Sequence, residues 1–437
     1  MTTTYDPKHP LYVDQADVRG ELTRVFDICH DCGRCVEFCT SFPTLFEMID
    51  QLEERDAGRL TPAQQDQVVD ECFQCKLCAV NCPYVGELHE WDVDVPRLML
   101  RASAMQHTAG LASARKRATT KVLGRADLVG RLATAAPSLA NRLVDARPNS
   151  AVRKVVARVA GVSPARLLPR YATERFSAWF RKRPTVRVIA PQGRVAVFPT
   201  CLVEYQATDI GKDLVRVYER NGIECGITDA GCCGAPWLHA GDLASFARVA
   251  TRNAATLADA VRSGTDVVVP QPRCGYVIRS DYVDHVDTAQ RADAELVAAH
   301  TYDAAEYLMR LHRADDPTLA TDFTGATVAS ITSVASGHLR AQDVGFESRD
   351  LMKLTGATVT LLSPCPGIDG MWGLRAGNEH ISGPNAERLA AQVDGAGGEV
   401  VAGDCVVANL AIEQQTGREV RHPLQIMARA YGIADDA

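Results

Sequence analysis

CHDCGRCVEFC, Cys29–Cys39, spaces four cysteines as C-x2-C-x2-C-x3-C, and CFQCKLCAVNCP, Cys72–Pro83, repeats the spacing and adds a trailing proline. Three thiolates on one tight loop can grip three irons of a cube, and the fourth ligand arrives from elsewhere. In two-cluster ferredoxins the last cysteine of each run crosses to the other cube. The expected sets are therefore Cys29, Cys32 and Cys35 with Cys82, and Cys72, Cys75 and Cys78 with Cys39. Zinc sites more often come as C-x2-C pairs than as two matched runs of four, so two 4Fe–4S clusters are the expectation. One departure stands in the first run: Thr-Ser follows Cys39, and the proline comes only at Pro43.

The linker between the runs carries Phe42, Leu45, Phe46, Ile49 and Leu52 on one helical face, with Gly58 as the expected end of that helix. Thr61, Pro62 and Gln64 then read as an N-cap, a first-turn proline and a capping-box partner. The two runs are thus expected on a helical hairpin rather than on short β-turns.

The chain has 437 residues, 15 of them cysteine, and a net charge of −7. The first residues, MTTTYDPKHPLYVD, carry no basic and no apolar signal region, and no apolar run of about eighteen residues is present. The expected place is the cytoplasm, with a peripheral position on the inner face of the plasma membrane as its extension. Clustered cysteines then point to metal rather than to disulfides. The charge is uneven. Arg101–Arg183 holds eighteen Lys and Arg against Asp127, Asp145 and Glu174, a surplus of 15, which leaves −7 − 15 = −22 elsewhere. Its amphipathic pieces, ADLVGRLATAAPSLANRLVDA and NSAVRKVVARVAGV, fit an anionic membrane surface or an acidic partner, with Arg115, Lys116, Arg117, Arg153, Lys154 and Arg158 as the cations of that surface. The competing reading is plain helical packing around the cluster domain. No nucleic-acid fold accompanies the aromatic and arginine stretch PRYATERFSAWFRKRP, and no nucleic-acid partner is expected.

From residue 185 the pattern turns to alternating strand and helix, and it recurs with a period of roughly 134 residues. The expected fold class is an α-helical two-cluster ferredoxin domain followed by a duplicated α/β cysteine-rich region with parallel strands. The expected boundaries are 1–105 for the ferredoxin domain, 106–184 for the basic helical segment, 185–320 for the first α/β half and 321–437 for a degenerate second half. In the first half Cys201, Cys232, Cys233 and Cys274 fall in loops at strand ends, the usual crevice of such a unit. In the second half Gly337, Pro366 and Ala408 stand where the first has cysteines. Cys365 and Cys405 remain there and are expected to be buried and structural. Cys225 reads as a packed strand residue. His239 and His338 read as loop histidines beside the motifs.

The order of these motifs, with FPTCLVEYQATDIGKDLVRV, GCCGAPWLHAGD and SGHLRAQDVG, resembles the iron–sulfur subunits of anaerobic glycerol-3-phosphate dehydrogenase. It also resembles the wider cysteine-rich family of heterodisulfide reductase and lactate or glycolate oxidase subunits. The resemblance implies a third iron–sulfur centre on Cys201, Cys232, Cys233 and Cys274. Gln271 stands where the family has a cysteine, so four ligands remain of five, and cubane, non-cubane and zinc occupants all stay open. Neither G-x-G-x-x-G after a strand nor G-x-x-x-x-G-K-[ST] occurs, so no flavin or nucleotide site is expected in this chain. The implied role is an electron-transfer subunit without catalytic residues. It would run from a partner flavin dehydrogenase, of glycerol 3-phosphate or 2-hydroxy acids, to quinone or another acceptor. The alternatives are a heterodisulfide-reductase-like enzyme and an electron donor to a rubrerythrin-like di-iron protein.

Overall fold

The computed structural model describes residues 5–433 except 38, 40, 87, 88, 185, 187, 189, 190 and 369–371. The expected boundaries at residues 1, 185 and 437 lie outside the described residues.

The N-terminal region is helical because its apolar residues recur at helical spacing and its helix ends are capped. The helix Gln15–Cys32 starts at Asp14, whose carboxylate accepts from the Asp17 amide at 2.9 Å. It stops at Gly33, in the left-handed region at φ 64°, whose N–H donates to the Cys29 carbonyl. That stop delivers Cys29 and Cys32 to the turn that carries Cys35. Val18, Leu22, Val25 and Phe26 of this helix pack on Phe42, Leu45 and Ile49 of the helix Ser41–Asp50, and on Leu98 and Met99 of Val95–Thr108. The helix from Ser41 ends at Asp50, not at Gly58, and Leu52 lies beyond it. Left-handed Glu54 and Arg55, at φ 65° and 51°, break the helical path into two short 3-10 turns. The capping box at Thr61 forms as expected: Gln64 N donates to Thr61 Oγ1 at 3.3 Å and Thr61 N to Gln64 Oε1 at 2.9 Å.

Two four-stranded parallel sheets follow. The first holds β1 (Gly193–Val197), β2 (Ile223–Ile227), β3 (Asp266–Val269) and β4 (Thr301–Asp303) in the order β2-β1-β3-β4. The second holds β5 (Ser330–Val334), β6 (Thr358–Leu362), β7 (Val400–Gly403) and β8 (Val420–Arg421) in the order β6-β5-β7-β8. In each sheet the order reverses beside the first strand, which opens a crevice beyond the strand ends. Fully buried Val195, Val197, Leu214 and Val268 form the core of the first unit together with residues from the second, Leu351, Leu424 and Met427.

The basic segment forms short helices, Ala114–Gly124, Ala126–Ala135, Pro137–Val144 and Ala151–Ala160, broken where Ala136 leaves helical geometry before Pro137. These helices pack chiefly on the first α/β unit rather than around the cluster domain. Gly130 lies so close to Tyr205 that a β-carbon there would stand 2.3 Å from the ring. Arg153 does not belong to the exposed cations. It is 1% exposed and donates to the carbonyls of Val144, Ser163 and Arg166 at 2.8, 3.0 and 2.6 Å.

Candidate iron–sulfur sites

The first two sites follow from helix ends. Cys72 closes the helix Pro62–Glu71, and left-handed Gln74 and Lys76 fold the next residues into a tight loop that leads to Cys78. The charges that bear on the Cys29 thiol are those of Cys35, Cys82 and Cys32. Those on Cys39 are Cys75 and Cys72, and those on Cys78 are Cys75, Cys72 and Cys39 before Cys35. The last cysteine of each run therefore sits with the other run, and the two groups adjoin through Cys35 and Cys78. Burial pushes the Cys35 thiol up to about 11 and those of Cys39 and Cys78 well above their ordinary value. Thiols held this way stay protonated unless a bound cation stabilises the thiolate, which is what the irons of a cluster supply. Tyr84 N donates to Cys82 Sγ at 3.4 Å and Gln74 Nε2 to Cys72 Sγ at 3.6 Å, hydrogen bonds of the kind that tune cluster potentials.

The third group lies beyond the ends of β1, β2 and β3. Cys201 is the second residue of the helix Thr200–Tyr205 after β1, Cys232 and Cys233 occupy the loop after β2, and Cys274 sits in Pro272–Tyr276 after β3. Their thiols form a row: Cys201 is hydrogen-bonded to Cys232, Cys232 to Cys233, and Cys233 Sγ lies 3.3 Å from Cys274 Sγ. The hydrogen bond to Cys232, then burial, pushes the Cys201 thiol well up. Among the described residues no three His, Cys, Asp or Glu side chains are grouped as a single metal ion requires.

Three residues that the sequence reading passed over hold the Cys232–Cys233 loop. Asp127 Oδ2 accepts from Cys232 N at 2.8 Å. Fully buried Asn253 donates to the Cys232 carbonyl at 3.0 Å and accepts from Gly231 N at 3.2 Å, while Tyr282 Oη donates to the Cys233 carbonyl at 3.0 Å. The one signal for Asp127 in the sequence is that it is an acid, one of three, among eighteen cations. Gln271, in the place of a family cysteine, accepts from Val406 N in the second unit at 3.3 Å.

In the second unit Gly337 starts the helix after β5, and the ferredoxin loop fills the space a side chain would need. A β-carbon at residue 337 would lie 2.4 Å from the Cys75 carbonyl oxygen and 3.3 Å from Leu77. Cys365 and Cys405 are not fully buried as expected; they border a cavity of about 40 Å³ together with Cys75. His239 and His338 are helical rather than loop residues. Burial, then neighbouring Arg273 and Lys76, holds both imidazoles well below their ordinary value, and Arg273 lies 2.6 Å from His239 Nδ1. Cys225 is a packed residue of β2.

Residues 28–85 match a family model described as a 4Fe-4S dicluster domain, and residues 195–279 one described as a cysteine-rich domain. Joined in one chain, these make an iron–sulfur protein of the electron-transport class. Over most of its length the chain is similar to one of the subunits of the anaerobic glycerol-3-phosphate dehydrogenase of Escherichia coli K12, 26% identical over 84% of this chain and 99% of that protein. Lactate utilization protein A of Geobacillus kaustophilus is 28% identical over 28% of this chain and 51% of its own length. One of the subunits of the fumarate reductase (CoM/CoB) of Methanothermobacter marburgensis is 32% identical over 21% of this chain and 18% of its own. No described helix is long and apolar enough to cross a membrane.

Proposed function

We propose that this chain is the electron-transfer subunit of a dehydrogenase complex. It takes electrons from a separate flavoprotein acting on glycerol 3-phosphate or a 2-hydroxy acid and passes them toward quinone at an anionic membrane surface. Cys29, Cys32, Cys35 and Cys82 hold one 4Fe–4S cluster, and Cys72, Cys75, Cys78 and Cys39 the other. Cys201, Cys232, Cys233 and Cys274 hold a third iron–sulfur centre. Bound clusters supply one-electron steps at tuned potentials. The functional units are 1–105, 106–184, 185–320 and 321–437, the last being a duplicate of the third that has lost its centre. The matching strand orders of the two sheets support the duplication.

The observation that carries the reading is the seat of the second ferredoxin loop. Buried Lys76 lies over the Tyr276 ring, 4.9 Å from its centroid, two residues from Cys274. Cys35 adjoins Cys78, Lys76 adjoins Tyr276, and Cys274 ends the thiol row, which supports a relay in that order.

The test is anaerobic. The holoprotein alone reduces no dye with glycerol 3-phosphate, lactate or glycolate, and addition of the matching flavoprotein with its substrate bleaches the cluster absorbance. Dye reduction by the pure chain, or clusters that no such flavoprotein reduces, overturns the reading. A second reading rests on a polar cleft of about 300 Å³ that reaches Cys232 and is lined by Arg131, Arg175 and Arg181 together with Asp127, Glu204 and Asp229. It would admit a polar disulfide for reductive cleavage, and turnover of a disulfide by the reduced protein alone selects it.

A further inference from the structure

Behind the basic helices lies a second cavity, of about 250 Å³, walled by side chains such as Val129, Leu143, Val156, Leu168 and Leu202. Protein interiors close apolar voids of this size, because each uncovered methylene forfeits packing and transfer energy. No charged side chain lines this one. Its polar groups are the phenols of Tyr171 and Tyr205, the amide of Gln206 and the thiol of Cys201. Gln206 is already committed, donating to the Pro169 carbonyl at 3.1 Å. Tyr205 lies between this cavity and the polar cleft, and lines both. The outer rim is Leu143, 45% exposed, and beside it Leu139, Leu132 and Val159 stand 62%, 67% and 77% exposed. The cavity thus runs from a bare apolar ridge to the first thiol of the row.

We propose that this cavity binds a lipophilic quinone, with its ring against Cys201 and Tyr205 and its tail passing Leu143 onto the ridge. The proposal rests on the relay reading above and names the place where the relay ends. A neutral wall rejects fatty acids and other charged lipids, and hydroxyl donors suit the two carbonyl oxygens of a quinone. The volume lies just under the ~300–1,000 Å³ usual for small-molecule sites, which suits a ring and the start of a tail. Tyr205 also borders the polar cleft on its far side, with Asp127, Glu204 and Cys232. Held by Cys201, Cys232, Cys233 and Cys274, the third centre would supply the two electrons one at a time, having received them through the flavoprotein. Two protons come from water in the cleft, and the quinol leaves past Leu143.

The test uses the anaerobic full-length holoprotein and a decyl-tailed azidoquinone. Photolabelling should saturate, map to the peptides containing Tyr171 and Leu202–Gln206, and be competed by decylubiquinone. Ala140→Phe and, from another helix, Ala160→Phe fill the cavity and should each weaken labelling at least tenfold while iron and sulfide contents stay unchanged. Labelling that maps elsewhere in the unsubstituted protein, that does not saturate, or that survives in both folded variants overturns the site. Cluster bleaching by the flavoprotein is measured without quinone, so failure of the relay is seen separately from failure of the site.

Discussion

Cys201 and Gly337 lie in the helices that follow β1 and β5, and their difference shows what one residue does here. The cysteine lines a row of thiols; the glycine leaves room for the carbonyl of Cys75. The glycine at 337 was legible in the sequence. Its physical reason was not, because it belongs to a contact between residues more than 250 positions apart. Gly337→Ala forces the Cys75 carbonyl to move, a strained contact that costs about 1–3 kcal/mol. Iron release to a chelator should then quicken for one cluster's worth of iron and leave the rest unchanged. Cys233 gives the complementary test. Cys233→Ser removes the middle of the row and should lower iron by one centre while the ferredoxin clusters remain. Cys365→Ser should leave iron and sulfide unchanged, since its cavity is too small for a cluster. Equal iron loss in both variants would mean that the two units share a centre.

Helices and strands were legible to the extent that they were long enough to show a period. The capping box at Thr61 was read correctly because its three residues act locally. The end of the helix at Asp50 was misplaced because the left-handed turn at Glu54 and Arg55 has no glycine to announce it. The edge strands β4 and β8, three and two residues long, are too short for any alternation to register and were passed over. The helix that follows β8, Pro423–Ala430, has an unusual cap: His422 Nδ1 accepts from Leu424 N at 3.2 Å, and Gln425 completes the box. Burial pushes this imidazole down to about 4, against the opposing pull of a hydrogen bond with Pro270. The folded protein binds this proton less readily than the unfolded chain, whose histidine titrates near 6.5. The stabilisation is therefore complete above pH 6.5 and is lost as the pH falls toward 4. Between pH 7.5 and 5 the loss amounts to about 2 kcal/mol. His422→Asn keeps a cap without the titration, so its thermal midpoint should fall less over that range than that of the unsubstituted protein. Parallel curves for the two proteins would show that His422 does not titrate with unfolding.

At the scale of the whole molecule, the ferredoxin runs were legible because 4Fe–4S chemistry fixes their spacing, and the thiols beyond β1, β2 and β3 because they follow strand ends. The role of the basic segment was only half legible. Its charge is written in the composition, but the sequence does not show which cations are spent on the interior. Arg101 and Arg153 are both buried and donate to carbonyls, and Lys116 reaches Asp70 at 2.5 Å. The cations left at the surface include Arg115, Arg117, Lys154 and Arg158; the last two share their helix with exposed Val155 and Val159, and Leu132 is exposed on the helix that follows Arg115 and Arg117. A surface of this kind binds an anionic bilayer through two separable contributions. Charges are screened over about 10 Å at 0.1 M salt, whereas burial of apolar side chains is not. Neutralising the four surface cations together should abolish the part of vesicle binding that salt weakens, and leave iron content unchanged. Leu132→Ser with Val155→Ser should lower binding by a similar factor at low and high salt, because it removes buried area rather than charge. Both sets are read by co-sedimentation with vesicles containing phosphatidylglycerol, against vesicles of phosphatidylcholine alone. If the charge variant still sediments with anionic vesicles in a salt-dependent way, the basic segment is a solvated face and the relay ends away from the membrane.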